Sequence, residues 1–456
     1  MQAGSDRPTT AGAGLARISL GGAVVAAALA MPLGSQRAAG VRLGLMLVAA
    51  ASFALVLIIE ARRPFLTVRG VLIGVVVTLA VAVAVPPQGS SDLWSYAAYG
   101  RTVAHYHRSP YRTDPDDVGN DAITRRVAPA WEETPSVYGP VFVAVAASGS
   151  ELAGSSPLAN RLFFQGLAAL AVLGALGLLA RAGADPGALA FLGLNPVVAL
   201  VVVNAGHNDA LVGLGVLAGA LLAARRRPVL AGVVLGMAAL VKIVAVLPIA
   251  AVVVWAWRRG ERSPWSTAVG GLATVVLGYA VVGGKVALDP VLAMGGALSR
   301  ASIWNLVGRV DPVLASPLLS GALVALLIGI VLDRASRAPL PSVCGTALLV
   351  YLLGSRYLLP WYLVWALPVL ALRWRTSAAT VASAAALGLA VSYVGAPHLR
   401  SPGLYAVLHP FYTWAMPVAL ASGLVWLAVT AGKAPWQPDR GTGDPLSDPA
   451  DASLRS

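Results

Sequence analysis

Residues 86–140 decide how this chain is read: they include SDLWSYAAYG at 91–100, then Ser109, Pro110 and Tyr111, and close with WEETPSVYGP at 131–140. This is the one long polar insert in a sequence otherwise written for lipid. Loops of that length are functional or disordered, and aromatics interleaved with acids and bases argue against disorder. The insert reads as the catalytic loop of a membrane enzyme.

Working outward, 57% of the 456 residues are apolar, 12% are charged, and the mean hydropathy is +0.75. Such a chain contains many nearly uncharged segments long enough to cross a bilayer, so the expected class is an all-α polytopic membrane protein. The net charge of +13 comes almost entirely from arginine. It fits the basic bias of cytoplasmic loops rather than a nucleic-acid surface, because no soluble basic domain exists to present one. The single cysteine, Cys344, lies in an apolar run and offers no disulfide framework.

Spans are expected at 15–33, 41–59 and 68–85, after a disordered cytoplasmic leader at 1–14 that carries Arg7. Ala28, Leu29 and Ala30 resemble a signal-peptidase site, and the first span fits a retained anchor equally well. Arg62, Arg63 and Arg69 belong inside, so the 86–140 loop faces out. Residues 141–152 are too short to cross and read as a juxtamembrane or re-entrant helix. Further spans fall at 162–180, 189–203 and 211–224. The stretch 229–257 is long for one helix and short for two; a turn near 242–248 keeps Arg258, Arg259 and Arg262 inside. Then come 268–282, a second external loop at 283–312 with Arg300, Trp304, Asn305 and Arg309, and spans at 314–332, 346–354, 358–372, 381–394 and 404–429. A disordered cytoplasmic tail follows from 431 to 456. The count is roughly thirteen crossings within a membrane domain at 15–430.

This map gathers His105, His107, His207, His398 and His409 near the outer face, with Asp92, Glu132, Glu133, Asp209, Arg356 and Tyr357. Lys242, one of three lysines with Lys285 and Lys433, lies in an apolar run near the same side. Ionisable groups in membrane segments are costly, and their default reading is functional. Asp92 suits a general base that takes a proton from an incoming hydroxyl as it attacks an electrophilic carbon. Lys242 or Arg356 suits a phosphate that stays near the bilayer. Trp94, Tyr96, Tyr138, Trp304 and Trp361 suit stacking on sugar rings. Together these features fit glycosyl transfer from a lipid-phosphate sugar.

At these residues the sequence resembles the actinobacterial polyprenol-phosphate-mannose-dependent α-1,6-mannosyltransferases of the GT-C superfamily. Residues 92–100, DLWSYAAYG, are similar to the family's acidic first-loop motif DVYSYAAQG; 131–140 are similar to WRDTPAPYGP; and 206–211 match GHNDAL. Pro110, Tyr111 and the run from Ala238 to Lys242 complete the resemblance, which covers about 91–257. It implies a GT-C-type bundle with juxtamembrane helices in the first external loop. Asp92 would be the catalytic base, and attack with inversion on a β-mannosyl phosphodiester would give an α-linkage. Tyr138 with Glu132 or Glu133 would line the cavity, His207, Asn208 and Asp209 would border it, and Lys242 would bind the donor phosphate. The implied partners are polyprenol-phosphate mannose, a mannosylated glycolipid acceptor of the lipomannan type and the bilayer. Leu93, Trp94 and Tyr99 depart from the commoner Val, Tyr and Gln, which leaves α-1,2-mannosyl or arabinofuranosyl transfer open.

Each residue also has a plainer reading. Asp92 also suits a helix N-cap, Trp94, Tyr96 and Trp361 suit interfacial belt aromatics, and His207 and Asn208 suit partners for exposed helix ends. Lys242 can simply snorkel outward. Nothing in the histidine spacing suggests a metal site, and a divalent-cation requirement stays open. The rival class is a secondary transporter or lipid flippase, which places ionisable groups near the midplane of two related halves. The absence of an internal repeat and the collection of polar groups at one face favour the enzyme.

Overall fold

The computed structural model describes residues 10–33, 38–261, 263–394 and 402–430. Most of the expected leader, Arg7, Arg262, His398, Arg400, Lys433 and the expected tail lie outside them. Every regular element among the described residues is helical.

Three helices build the first wall: α1 (Thr10–Ala30), α2 (Ala39–Arg62) and α3 (Val68–Ala84). The helix expected from residue 15 starts earlier, at Thr10. Between α2 and α3 the chain reverses around Glu60, whose Oε2 accepts the Phe65 and Leu66 backbone N–H groups at 2.8 and 3.0 Å. Beyond α3, the 86–140 loop is ordered. It starts with α4 (Asp92–Ala104), passes through three short 3-10 turns, and runs into α5 (Pro140–Ala153). Ser150 Oγ donates to the Ala97 carbonyl at 3.0 Å, and Arg101 Nε donates to Asp121 Oδ2 at 2.8 Å. The 14-residue α5 is too short to span a bilayer alone.

Next come α6 (Pro157–Arg181) and α7 (Pro186–Gly193), after which the chain breaks before a π-helical turn at Val198–Val203. The unbroken span expected at 189–203 is therefore two pieces, with Pro196 at the break, where no backbone N–H is available to continue the ladder. α8 (Asp209–Ala224) returns, and α9 (Pro228–Ala239) leads to the turn foreseen in the 229–257 stretch. There Lys242 is extended (φ −142°, ψ 125°), followed by a 3-10 turn and α10 (Val246–Arg258).

The remaining helices are α11 (Ser266–Val281), α12 (Lys285–Ala293), α13 (Ile303–Val310), α14 (Pro317–Ala335), α15 (Leu340–Gly354), α16 (Leu367–Ala371), α17 (Ser377–Val394), α18 (Pro402–Pro410) and α19 (Met416–Thr430). α15 is the spine. Its central residues Val343, Ala347, Leu348 and Leu352 are fully buried. At one end of α15, Trp255 Nε1 donates to the Ala338 carbonyl and Arg258 pairs with Asp333. At the other, Trp304 Nε1 donates to the Gly354 carbonyl at 2.5 Å. So α10 does travel back from the Lys242 end, and its arginine gathers with Asp333 at the opposite end.

Helix length and composition show fewer spans than the expected thirteen or so crossings. By length and composition, four helices among the described residues can cross alone: Ala39–Arg62, Pro157–Arg181, Pro317–Ala335 and Gly403–Thr430. A pair bent by 101°, Ser266–Val281 with Lys285–Gly296, makes a fifth at most. The other apolar helices have 10–17 residues. Proline and polar breaks shorten them, as at 358–372, where a 3-10 segment from Pro360 precedes the five-residue α16. The protein is a polytopic membrane protein, all-helical among the described residues.

Candidate active site

The loop start is held by two amides buried among apolar helices. Asn204 Oδ1 accepts the Gln88 backbone N–H at 2.9 Å, and its Nδ2 donates to the Ala82, Val85 and Pro86 carbonyls. Gln165, on α6, donates to the Ala82, Val85 and Asn204 carbonyls. These bonds satisfy the carbonyls at the end of α3 and fix where α4 begins. At the loop's other end, Gly139 N–H donates to the Val241 carbonyl at 3.1 Å and Val141 N–H to Leu240 at 3.0 Å. A Cβ on Gly139 would collide with the Leu240 carbonyl, so only glycine permits that approach. The loop is thereby stapled to the break that carries Lys242.

Those anchors bring four titratable side chains into one chain of contacts. Asp92 opens α4 and Asp209 opens α8, each in a first turn where the helix dipole favours a carboxylate. Between them sits His207, whose Nδ1 lies 3.6 Å from Asp92 Oδ2, 3.9 Å from Asp209 Oδ2 and 3.4 Å from the Tyr96 hydroxyl. The imidazole stacks on Trp361 with ring centres 4.0 Å apart. Asp209 Oδ1 then accepts from Lys242 Nζ at 2.7 Å and from Trp365 Nε1 at 2.6 Å. Lys242 Nζ lies 4.6, 5.5 and 5.6 Å from the ring centres of Tyr362, Trp365 and Tyr138, an aromatic cage around a paired cation.

Burial differs along this chain. His207 and Asp209 are fully buried, whereas 22% of the Asp92 side chain is exposed. Asp92 is thus the more accessible of the two carboxylates. Burial, the largest influence, pushes it up from 3.8 to about 6; the Ser90 hydroxyl and the Lys242 charge pull it back, and Asp209 adds to the rise. Several buried polar atoms have no hydrogen-bond partner among the described residues: His207 Nε2, Asn208 Oδ1 and Nδ2, and Asp209 Oδ2. Buried polar groups are usually paired, so this concentration of unpartnered atoms makes the cluster a candidate place for a polar ligand.

The plainer readings resolve residue by residue. Ser91, not Asp92, is the cap residue of α4, and the Asp92 carboxylate faces His207 instead. Tyr96 is fully buried, in edge-to-face contact with Tyr138, Phe142 and Phe164, and is no belt aromatic. Asn208 precedes α8 without making a side-chain cap bond. Lys242 does not snorkel. The expectation of a free ammonium for phosphate meets a group already engaged with Asp209.

The other expected residues spread further out. Trp361 is in the cluster, and Tyr357 reaches it through Tyr362, with rings 6.2 Å apart. Trp94 carries the Arg126 guanidinium 5.1 Å above its ring. Glu132 is half-buried and Glu133 exposed, both on the 86–140 loop. Trp304 is buried as the anchor of α13 to α15, and Arg356 donates to the Ala315 carbonyl just before α14. Neither touches the Asp92 cluster. Sequence reasoning missed Asn204, Gln165, Tyr362, Trp365 and Arg42. For Gln165 and Arg42 a signal existed, a strongly polar residue inside an apolar run. Among the described residues, no group of three or more His, Cys, Asp or Glu is placed to hold a metal ion.

A partly exposed carboxylate, an imidazole and a lysine paired with a second carboxylate lie together at one end of an apolar helical bundle, an arrangement of the kind a membrane enzyme needs for acid–base chemistry. Comparison with known proteins narrows this class. Residues 9–259 match the family described as "Alpha-(1->6)-mannopyranosyltransferase, N-terminal domain", a match over more than half of the chain. Among curated proteins, Alpha-(1->6)-mannopyranosyltransferase A of Mycobacterium tuberculosis is 28% identical over 383 residues, 73% of this chain and 70% of the relative. A probable alpha-(1->6)-mannopyranosyltransferase of Mycolicibacterium smegmatis is 27% identical over 255 residues, 54% of this chain and 42% of the relative. No solved structure matches. The chain belongs to the alpha-(1->6)-mannopyranosyltransferase family and is a membrane glycosyltransferase.

Proposed function

We propose that the protein transfers mannose from polyprenol-phosphate mannose to a hydroxyl of an α-mannoside glycolipid at the outer face of the membrane, forming an α-1,6 linkage with inversion. The observation that carries this reading is Asp92: a carboxylate raised to about 6, partly exposed, and backed by a buried His207–Asp209–Lys242 chain. A base titrating near 6 is mostly ionised at neutral pH yet basic enough to assist a sugar hydroxyl. The acceptor oxygen attacks the anomeric carbon as the bond from that carbon to the phosphate oxygen breaks. The hydroxyl proton passes to Asp92, and polyprenyl phosphate leaves with the bonding electron pair.

His207 Nδ1 stands 3.6 Å behind the Asp92 carboxylate, and Asp209 Oδ2 lies 3.9 Å from the same nitrogen. Lys242 donates to Asp209 Oδ1 at 2.7 Å, so that its charge is paired within the cluster. One face of the buried Trp361 is covered by the His207 imidazole, which leaves the half-buried Tyr138 as the aromatic better placed for a sugar ring. The gathering of these groups at one end of the bundle, opposite Arg258 and Asp333, fits transfer at one membrane face rather than passage through it. The test is reconstituted protein given radiolabelled polyprenol-phosphate mannose and short α-mannosides with no nucleotide sugar present. Labelled oligosaccharide is expected; transfer only from a nucleotide sugar, or no transfer, overturns the proposal.

A further inference from the structure

If Lys242 is neutralised by Asp209, another cation must receive the donor's phosphate, and the first wall holds one. Arg42 lies in the opening turns of α2, within an apolar helix, and is only 7% exposed. Its Nε is buried with no hydrogen-bond partner, and no carboxylate among the described residues pairs with it. A guanidinium does not shed its charge in a protein, and a buried unpaired charge is among the most costly features a fold can carry. Such a group calls for an anion.

The surroundings say which kind. Arg42 lines a pocket with Gln88, Gly89, Ser90, Trp361 and Tyr393. Ser90 is two residues from Asp92 and its Oγ accepts the Asp92 backbone N–H at 3.3 Å, while Trp361 is the ring on which His207 stacks. The pocket therefore adjoins the base. Its floor continues, through the shared residues Met46, Val201 and Ala390, into a second cleft lined by Ala50, Pro196, Leu200 and Leu387. Not one side chain in that second cleft is charged or polar. It follows α2, α17 and the broken segment after α7 along the apolar body of the bundle.

We infer that Arg42 binds the phosphate of a lipid-phosphate donor, with the isoprenoid chain lying in the apolar cleft between α2 and α17. The inference rests on the proposed transfer and gives its donor a place: a charged head beside Asp92 and a hydrocarbon tail directed into the membrane. Arg42 offers a planar fork to the phosphate oxygens, the geometry that suits guanidinium–phosphate pairing.

Direct binding tests this with three probes, farnesyl phosphate, farnesol and inorganic phosphate, titrated against detergent-purified full-length protein by calorimetry. Farnesyl phosphate should bind saturably, and farnesol and inorganic phosphate each at least tenfold more weakly. Arg42→Gln should weaken farnesyl phosphate by about tenfold or more, Arg42→Lys by less, and neither should change farnesol binding. Leu387→Trp, which fills the cleft, should weaken farnesyl phosphate and leave inorganic phosphate unaffected. Because Arg42→Gln removes an unpaired buried charge, its melting temperature should equal or exceed that of the parent, which excludes misfolding as the cause. Wild-type binding that Arg42→Gln leaves intact overturns the Arg42 assignment while the donor class stands. Equal affinity for inorganic phosphate, unaffected by Leu387→Trp, overturns the lipid half. No binding of farnesyl phosphate by the parent protein sinks both the inference and the lipid-phosphate donor.

Discussion

Replacing Asp92 by asparagine separates the catalytic from the structural consequences of its environment. The side chain keeps its shape and loses its charge. In the fold Asp92 titrates at about 6 rather than 3.8, a difference of about two pH units at about 1.4 kcal/mol each, or about 3 kcal/mol. The sign follows from proton binding. Between 3.8 and 6 the folded state holds the Asp92 proton and the unfolded chain does not, so stability from this group falls as pH rises through that window and is fully lost above it. Asp92→Asn cannot ionise and escapes the loss. Above pH 7 the variant should therefore be more stable by up to about 3 kcal/mol, ~3 °C in melting temperature for a chain of this length. Below about pH 4 the two proteins should melt together. Activity should move the other way: removing a general base lowers kcat by roughly 10²–10⁴-fold. In the parent protein, kcat/KM should fall about tenfold per pH unit below 6. Melting curves in lipid nanodiscs at a fixed scan rate, paired with transfer rates at pH 4–8, read all of this. An acid limb near pH 4, a variant keeping more than about a tenth of the parent's activity, or a stability difference independent of pH would refute the reasoning.

Two further perturbations probe the supports. Lys242→Met leaves Asp209 buried without its cation and should destabilise the protein by roughly 3–5 kcal/mol, while the double variant Lys242→Met/Asp209→Asn should recover most of that loss in a thermal melt. Gly139→Ala pushes a methyl group into the Leu240 carbonyl and should detach the loop from the Lys242 break, lowering activity by at least about tenfold and increasing proteolysis within residues 105–136. Unchanged activity and unchanged cleavage would show that the loop is held elsewhere.

The residues that carry chemistry were legible in the sequence because lipid makes charge conspicuous. Asp92, His207, Asp209 and Lys242 stand out against apolar runs, and the structure places them within one set of contacts. Hydropathy gave the helical class and, through the basic turns, the reversal at Lys242. Which charges neutralise each other was not legible. Spacing along the chain cannot show that Asp209, 33 residues before Lys242, takes up its ammonium. Arg42 was overlooked because a lone arginine near the end of an apolar run looks like a flanking anchor, and only side-chain packing shows it to be enclosed. The crossing count is not readable from helix length alone for a related reason. Window averages see apolar composition but not the proline breaks at Pro196 and Pro360 that divide a run into short pieces.

The central claim is a single displacement at the anomeric carbon by a hydroxyl that Asp92 deprotonates. Its most direct measurement is the anomeric configuration of the new linkage, determined by NMR on product made by reconstituted protein from β-linked polyprenol-phosphate mannose. The mechanism predicts an α-linked product from the parent protein and almost none from Asp92→Asn. A β-linked product, or an α-linked product formed at an undiminished rate by the variant, would contradict it.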